Sequence, residues 1–186
     1  MDQELRSEFQ LNNGFRLRTF SEDDAEAVLQ VVLDNRDHLK VFMRWMSDDY
    51  SIETAREFIA RAAAGLEKKE STGFGILRGS TIIGSIGFVY FDWTARKTEI
   101  GYWIAKSEEG KGIIADAARR LIEYAFDELS MNRIEIRCST ENHRSAAVPL
   151  RLGFTKEGEF RQAELIHGKL HDFTVFALLA EDPRLW

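Results

Sequence analysis

The chain has 186 residues, 44% hydrophobic and 30% charged, enough to bury one core and unlike a disordered segment. Its 31 acidic residues against 25 basic give a net charge of −6, which argues against nucleic acid as a partner and agrees with a cationic one. A lone cysteine, Cys138, rules out an internal disulfide. With no apolar run of about 18 residues and no signal-peptide core, the expectation is one soluble cytoplasmic domain over residues 1–186, without membrane association.

In chain order, residues 15–20 alternate in polarity and predict a first strand. Ser21, with Asp24 three residues on, caps a helix to about Asn35 that carries Ala25, Val28, Leu29, Val32 and Leu33 on one stripe. Residues 41–46 (Val-Phe-Met-Arg-Trp-Met) are irregular and aromatic-rich. Ser51 then caps a second helix with Ala55, Phe58, Ile59 and Ala62 at helical spacing. Residues 73–77 and 81–91 read as strands joined by a tight turn at 78–80, and a second turn at 94–97 leads into a strand over 98–105. A polar, glycine-bearing loop, 106–112, opens a strongly amphipathic helix reaching Leu129. After it come a strand over 132–139, a helix over 144–152 stopped by Gly153, and strands over 155–161 and 169–179. The order β-α-α-β-β-β-α-β-α-β-β predicts a mixed α/β sheet built from hairpins and crossovers.

Two segments carry chemistry. Glu99-Ile-Gly-Tyr-Trp-Ile104, a strand, precedes Glu109-Gly-Lys-Gly-Ile-Ile114 at a helix start. A glycine loop opening a helix presents unpaired backbone N–H groups and the positive end of the helix dipole, which together bind phosphate. A plain strand-to-helix turn has the same spacing, and neither G-x-G-x-x-G nor G-x-x-x-x-G-K-[ST] is present. In the second segment, a polar strand end runs through Asn142 and Ser145 to Leu152-Gly153-Phe154, and Asn142 is also a natural helix cap.

Glu99–Ile104, Glu109–Ile113, Asn142-x-x-Ser145 and Leu152-Gly-Phe154 together resemble the GNAT superfamily of N-acetyltransferases, and within it the RimJ/RimL-like branch, over residues 15–179. The resemblance implies an α/β (α+β) fold with a mixed, mostly antiparallel sheet, splayed at its centre and flanked by about four helices. It implies acetyl-CoA as co-substrate and no metal. The pantetheine arm would enter between the strands at 98–105 and 132–139 and pair with backbone at Trp103, Ile104, Ala105 and Lys106. The pyrophosphate would rest on Gly110, Lys111, Gly112, Ile113 and Ile114, with Asn142 also against the cofactor. Three positions depart from the family pattern. Glu109 stands where Gln or Arg is usual, and its side chain is expected to turn toward Lys106 or Lys111. Ile114 replaces Gly or Ala, and Pro149 replaces a tyrosine used as general acid.

The implied reaction needs a base for an ammonium and a donor for a departing thiolate. Glu99 is the candidate base, or it pairs with Lys97 or Arg96. Ser145 is the candidate donor to sulfur, or it caps its own helix. Phe42, Trp45 and Tyr50, beside Asp48 and Asp49, line the expected acceptor pocket, or they pack the first helices on the sheet. The favoured acceptor is the α-amine of a protein N-terminus, plausibly a ribosomal protein. A small amine (polyamine, amino acid or aminoglycoside) and a non-catalytic acyl-CoA sensor are the alternatives, and family habit suggests a homodimer. The four histidines are scattered with no zinc-like spacing, and Cys138 reads as core.

Overall fold

The computed structural model describes residues 4–184 and 186. Its strands are β1 (Glu8–Gln10), β2 (Phe15–Thr19), β3 (Thr72–Arg78), β4 (Thr81–Asp92), β5 (Lys97–Ile104), β6 (Arg133–Ser139), β7 (Thr155–Ile166) and β8 (Lys169–Leu179). They form one sheet in the order β1-β2-β3-β4-β5-β6-β8-β7. Every neighbouring pair is antiparallel except β5–β6. The helices are α1 (Ala25–Asp34), α2 (Arg36–Lys40), α3 (Ile52–Glu67), α4 (Ile113–Glu123) and α5 (His143–Arg151).

Alternation along the strands sends successive side chains to opposite faces, so the sheet is the floor of two cores. On one face Leu17, Phe74, Ile86 and Ile100 meet Leu121 and Ile122 of α4, all at most 1% exposed. On the other, Leu77, Ile82 and Trp103 pack against Val28, Val32 and Ile59 of α1 and α3. Each such aliphatic side chain contributes roughly 1.5–3 kcal/mol by leaving water. The expected caps are formed. Asp24 Oδ2 accepts from the Ser21 amide at 2.7 Å, and Ser51 Oγ accepts from Thr54 N at 3.5 Å.

Four features differ from the sequence reading. β1 was not expected, because three residues with polar Glu8 and Gln10 on either side of one apolar residue show no period; Phe9 alone buries, with edge contacts to Phe74 and Tyr124 at 5.4 and 5.0 Å. α2 brings the helices to five rather than about four, and only its Leu39 is buried. The helix expected to run unbroken to Leu129 widens into a π-turn over Tyr124–Glu128, with Leu129 N bonding Tyr124 O at 3.1 Å. β7 continues five residues beyond 161, past a register shift around Gln162 at φ 51°, the second of two along the strand.

The expected splay is present. β5 and β6 pair in parallel only from Lys97↔Arg133 to Glu99↔Glu135, although β5 runs to Ile104 and β6 to Ser139. The β4–β5 ladder shifts register at Phe88/Tyr90, opposite Ile100 and Glu99. A bulge bends its strand and adds local twist, and this one lies where β5 leaves β6. The seam is therefore widest at the C-terminal ends of both strands.

Candidate active site

The lip of the seam after β5 is the glycine loop. Gly110 and Gly112 sit at φ +74° and +78°, and a Cβ on either would meet only open space. Gly112 is the N-cap of α4, whose first helical bond runs from Asp116 N to Gly112 O at 3.0 Å. The opening amides of a helix have no partner within it, so this loop can receive an anion. Ile113 and Ile114 send their side chains into the core, so the bulk of Ile114 lies away from the loop surface.

Backbone groups along β5 are unequally available. Ala105 N donates to Ile83 O at 2.8 Å, so alternation commits Trp103 to β4 and turns the groups of Tyr102 and Ile104 toward the open seam. Lys106 N is taken by Asn35 Oδ1 at 2.8 Å.

On the α4–α5 face of the seam, Tyr102, Ser145 and Cys138 form a cluster. The Tyr102 phenol donates to Ser145 O at 3.0 Å and accepts from Ser145 Oγ at 3.2 Å. Burial pushes the phenol well above its usual range despite the Ser145 bond, so it stays protonated and can donate. Burial likewise raises the Cys138 thiol, with the Ser145 hydroxyl acting against the rise. Asn142 caps α5 through Oδ1, which accepts from Ser145 N at 3.1 Å. Pro149 lies within α5 and is buried.

Glu99 and Trp103 point to the opposite face by the same alternation. Burial raises the Glu99 carboxyl above its ordinary value; Arg137, 3.3 Å away, opposes this, while Glu135 and Glu164 add to it. Its cationic partner is thus Arg137 across the seam, not Lys97 or Arg96: Lys97 lies over the Tyr90 ring at 5.9 Å and Arg96 donates to Ser130 O. Trp45 stands 5.9 Å from both Tyr50 and Trp103, ring to ring, and Phe42 is half-buried in the turn after α2. Trp45 is 38% exposed whereas Tyr50 is 7%. Tyr50 therefore belongs to the packing and Trp45 offers a surface. The Asp48 carboxyl is taken by Lys40 at 2.6 Å. At the β7–β8 tip, His167 Nε2 lies 3.2 Å from Met43 O, so the hairpin spans from β8 to the aromatic loop.

Glu109 departs from the sequence reading. It pairs with Arg144 of α5 and lies 3.6 Å from His38 of α2, while Lys111 is held by Glu108 at 3.1 Å. Tyr102, Arg137 and Glu164 are the site groups that the sequence reading passed over. The first two had a signal: Tyr102 alternates with Glu99 and Trp103, and Arg133, Glu135 and Arg137 alternate with the apolar Ile134, Ile136 and Cys138.

The chain matches the Acetyltransferase (GNAT) domain over residues 15–155. It is 37% identical over 176 residues to YdaF of Bacillus subtilis (strain 168), named “Putative ribosomal N-acetyltransferase”, covering 92% of this chain and 94% of that one. Its fold matches the self immunity acetyltransferase MccE in complex with acetyl-CoA and AMP at a TM-score of 0.89, with 26% identity over 95% of this chain and 98% of that one. It matches the RimL ribosomal alpha-N-protein acetyltransferase in complex with coenzyme A at 0.87, with 26% identity over 92% and 97%. Fold and seam together define an acyltransferase fed by a coenzyme A thioester. The chain belongs to the GNAT acetyltransferase family, and it is an acetyl-CoA-dependent N-acetyltransferase. Among the described residues, no three His, Cys, Asp or Glu side chains gather to hold a metal ion, and no helix is long and apolar enough to cross a membrane.

Proposed function

We propose that the acceptor is the α-amine of a protein N-terminus, such as that of a ribosomal protein, and that it meets the acetyl group through the β5–β6 seam. The observation that carries this reading is the division of the seam between two faces. Glu99, Trp103 and Trp45 lie on one, and the Tyr102–Ser145 pair lies on the other. An amine arriving on the Glu99 face would reach the seam opposite a sulfur held on the Ser145 face.

Acetyl-CoA supplies the activated acyl group. Gly110 to Ile114 would hold its pyrophosphate, the backbone of Tyr102 and Ile104 would pair with its pantetheine arm, and Asn142 Nδ2 would be the side-chain donor, since its Oδ1 is spent on the cap. Glu99 takes a proton from the ammonium, directly or through a water; the freed nitrogen attacks the thioester carbonyl and, as the adduct collapses, releases its second proton to solvent. As the carbon–sulfur bond breaks, Ser145 turns its hydroxyl from Tyr102 to the departing thiolate, and Tyr102 holds the Ser145 carbonyl in place meanwhile. A hydroxyl stabilises that charge as a hydrogen-bond donor, not by full proton transfer.

The protein-terminus acceptor draws support from the names of YdaF and RimL and from the hairpin tip touching the aromatic loop. A bridged opening admits a chain end more readily than a side chain on a folded surface. The test is a screen of purified protein with acetyl-CoA against peptide N-termini, polyamines and aminoglycosides, following thiol release. Peptides with free α-amines should give the highest kcat/KM. Turnover confined to polyamines or aminoglycosides would overturn the reading.

A further inference from the structure

We propose that Glu109 is a built-in competitor for the phosphates of acetyl-CoA, holding in the free enzyme the arginine that the phosphates take over on binding. This rests on the phosphate placement proposed above and goes beyond it by assigning an exchange of partners to Glu109 and Arg144.

The loop 106–112 carries two adjacent carboxylates, and between them they engage Arg78, Lys111, Arg144 and His38. Glu108 is 7% exposed and takes both Arg78 and Lys111. Glu109 is 21% exposed and takes Arg144, whose side chain is 75% exposed, with His38 at 3.6 Å on its other oxygen. The two carboxylates therefore differ in kind. Freeing Glu108 would strand a buried charge, which is costly. Freeing Glu109 costs little, because an ion pair whose arginine stands largely in solvent contributes little to stability.

Location makes the Glu109 pair consequential. Glu109 precedes Gly110 on the lip after β5, and Arg144 lies in the first turn of α5, on the lip after β6. The pair ties together the two sides of the seam beyond the end of the β5–β6 ladder. An anion arriving at Gly110–Ile114 would face the Glu109 carboxylate, a repulsion, and would find Arg144 already engaged. Binding trades one ion pair for another: Arg144 moves to phosphate, and Glu109 keeps His38 or turns to solvent. Arginine suits that trade, since its planar fork fits carboxylate and phosphate alike. The consequence is an affinity for coenzyme A held below what the cations of the site could supply, which favours release of the product.

The test measures coenzyme A binding by calorimetry for the full chain. Glu109→Gln keeps the side-chain shape and removes the charge, and it should tighten coenzyme A about tenfold at low salt. Half a molar salt should reduce the gain to about threefold or less, because the effect is electrostatic. Arg144→Gln should weaken binding about tenfold, and in that background Glu109→Gln should recover only a small part of its gain. Coenzyme A bound no more tightly by Glu109→Gln than by the parent, or a full gain persisting without Arg144, overturns the inference. Should Glu109→Gln not fold, unchanged affinity in Arg144→Gln overturns it alone. A parent that binds no coenzyme A would instead sink the phosphate placement, and this inference with it.

Discussion

Glu99→Gln keeps the outline of the side chain at the head of the seam and removes its capacity to accept a proton. A peptide α-amine, with a pKa of about 7.7–8.0, is about one-tenth neutral at pH 7, whereas an alkyl amine near 10.4 is neutral to about 0.04%. The α-amine therefore needs a base but not an extreme one. General-base contributions run about 10²–10⁴, and the lower end is expected here because part of the acceptor is already neutral. For a peptide acceptor, kcat/KM at pH 7 should fall about 100-fold, with coenzyme A affinity unchanged. The pH profile gives the sharper reading. Burial raises the Glu99 carboxyl above its unfolded value, with Arg137 opposing and Glu135 and Glu164 reinforcing. The base works when ionised, so parent activity should climb as pH rises through that raised value, and this limb should vanish in the variant. Only the limb set by the amine itself should remain, near pH 8. Stability follows the opposite sign. A carboxyl raised on folding contributes stability that is complete below its unfolded pKa and lost as pH rises through its folded pKa. Glutamine carries no such loss, so the variant should melt at or above the parent temperature at neutral pH. Stopped-flow thiol release, calorimetry and thermal melts across pH make these measurements. Equal turnover and an equal pH profile in both proteins would refute the base and leave Glu99 as the partner of Arg137.

Ser145→Ala should cut the acetyl-transfer rate by about 10 to 10³, the loss of a hydrogen bond that strengthens as charge grows on sulfur, with little change in coenzyme A affinity. In single-turnover transfer a thioester with a more acidic leaving thiol should rescue that variant preferentially; equal acceleration of variant and parent would return Ser145 to a helix-turn role. Gly112→Val places a β-branched residue at φ +78° and should weaken coenzyme A at least about tenfold, near 1.4 kcal/mol. Gly112→Asn, which tolerates that backbone, should retain more of the affinity, and unchanged binding by a folded Val variant would move the pyrophosphate elsewhere. Tyr102→Phe removes the donor to Ser145 O and should cost about 1 kcal/mol in thermal unfolding along with a lower transfer rate. A variant matching the parent in both would leave Tyr102 as packing alone.

Much of the fold was legible because its signals are local. Ser21 and Ser51 announce helix starts by side-chain chemistry within three residues, and α4 shows its buried stripe at every turn. Gly110 and Gly112 lie in the left-handed region that glycine alone enters freely. The unexpected elements lack such signals. β1 and α2 bury one residue each, Phe9 and Leu39, and one apolar residue has no period. Tyr124, where the π-turn begins, packs against Phe9 and Phe88 on distant strands, and neither contact is visible within the helix.

Of the site, the sequence by itself determined the glycine loop, the strand carrying Glu99 and the cap at Asn142, because each is a property of a few adjacent residues. Who pairs with whom was left to the tertiary structure. Glu99 has Lys97 and Arg96 close along the chain, yet it meets Arg137 across the parallel seam. Glu109 has Lys106 and Lys111, yet it meets Arg144 and His38. Tyr102 and Ser145 are 43 positions apart and come together only because β5 and β6 part after Glu99. The reason is physical: backbone geometry follows from local sterics and hydrogen bonding, whereas a charged or hydroxyl side chain takes the best partner within a few ångströms, and packing of the whole sheet decides which one that is.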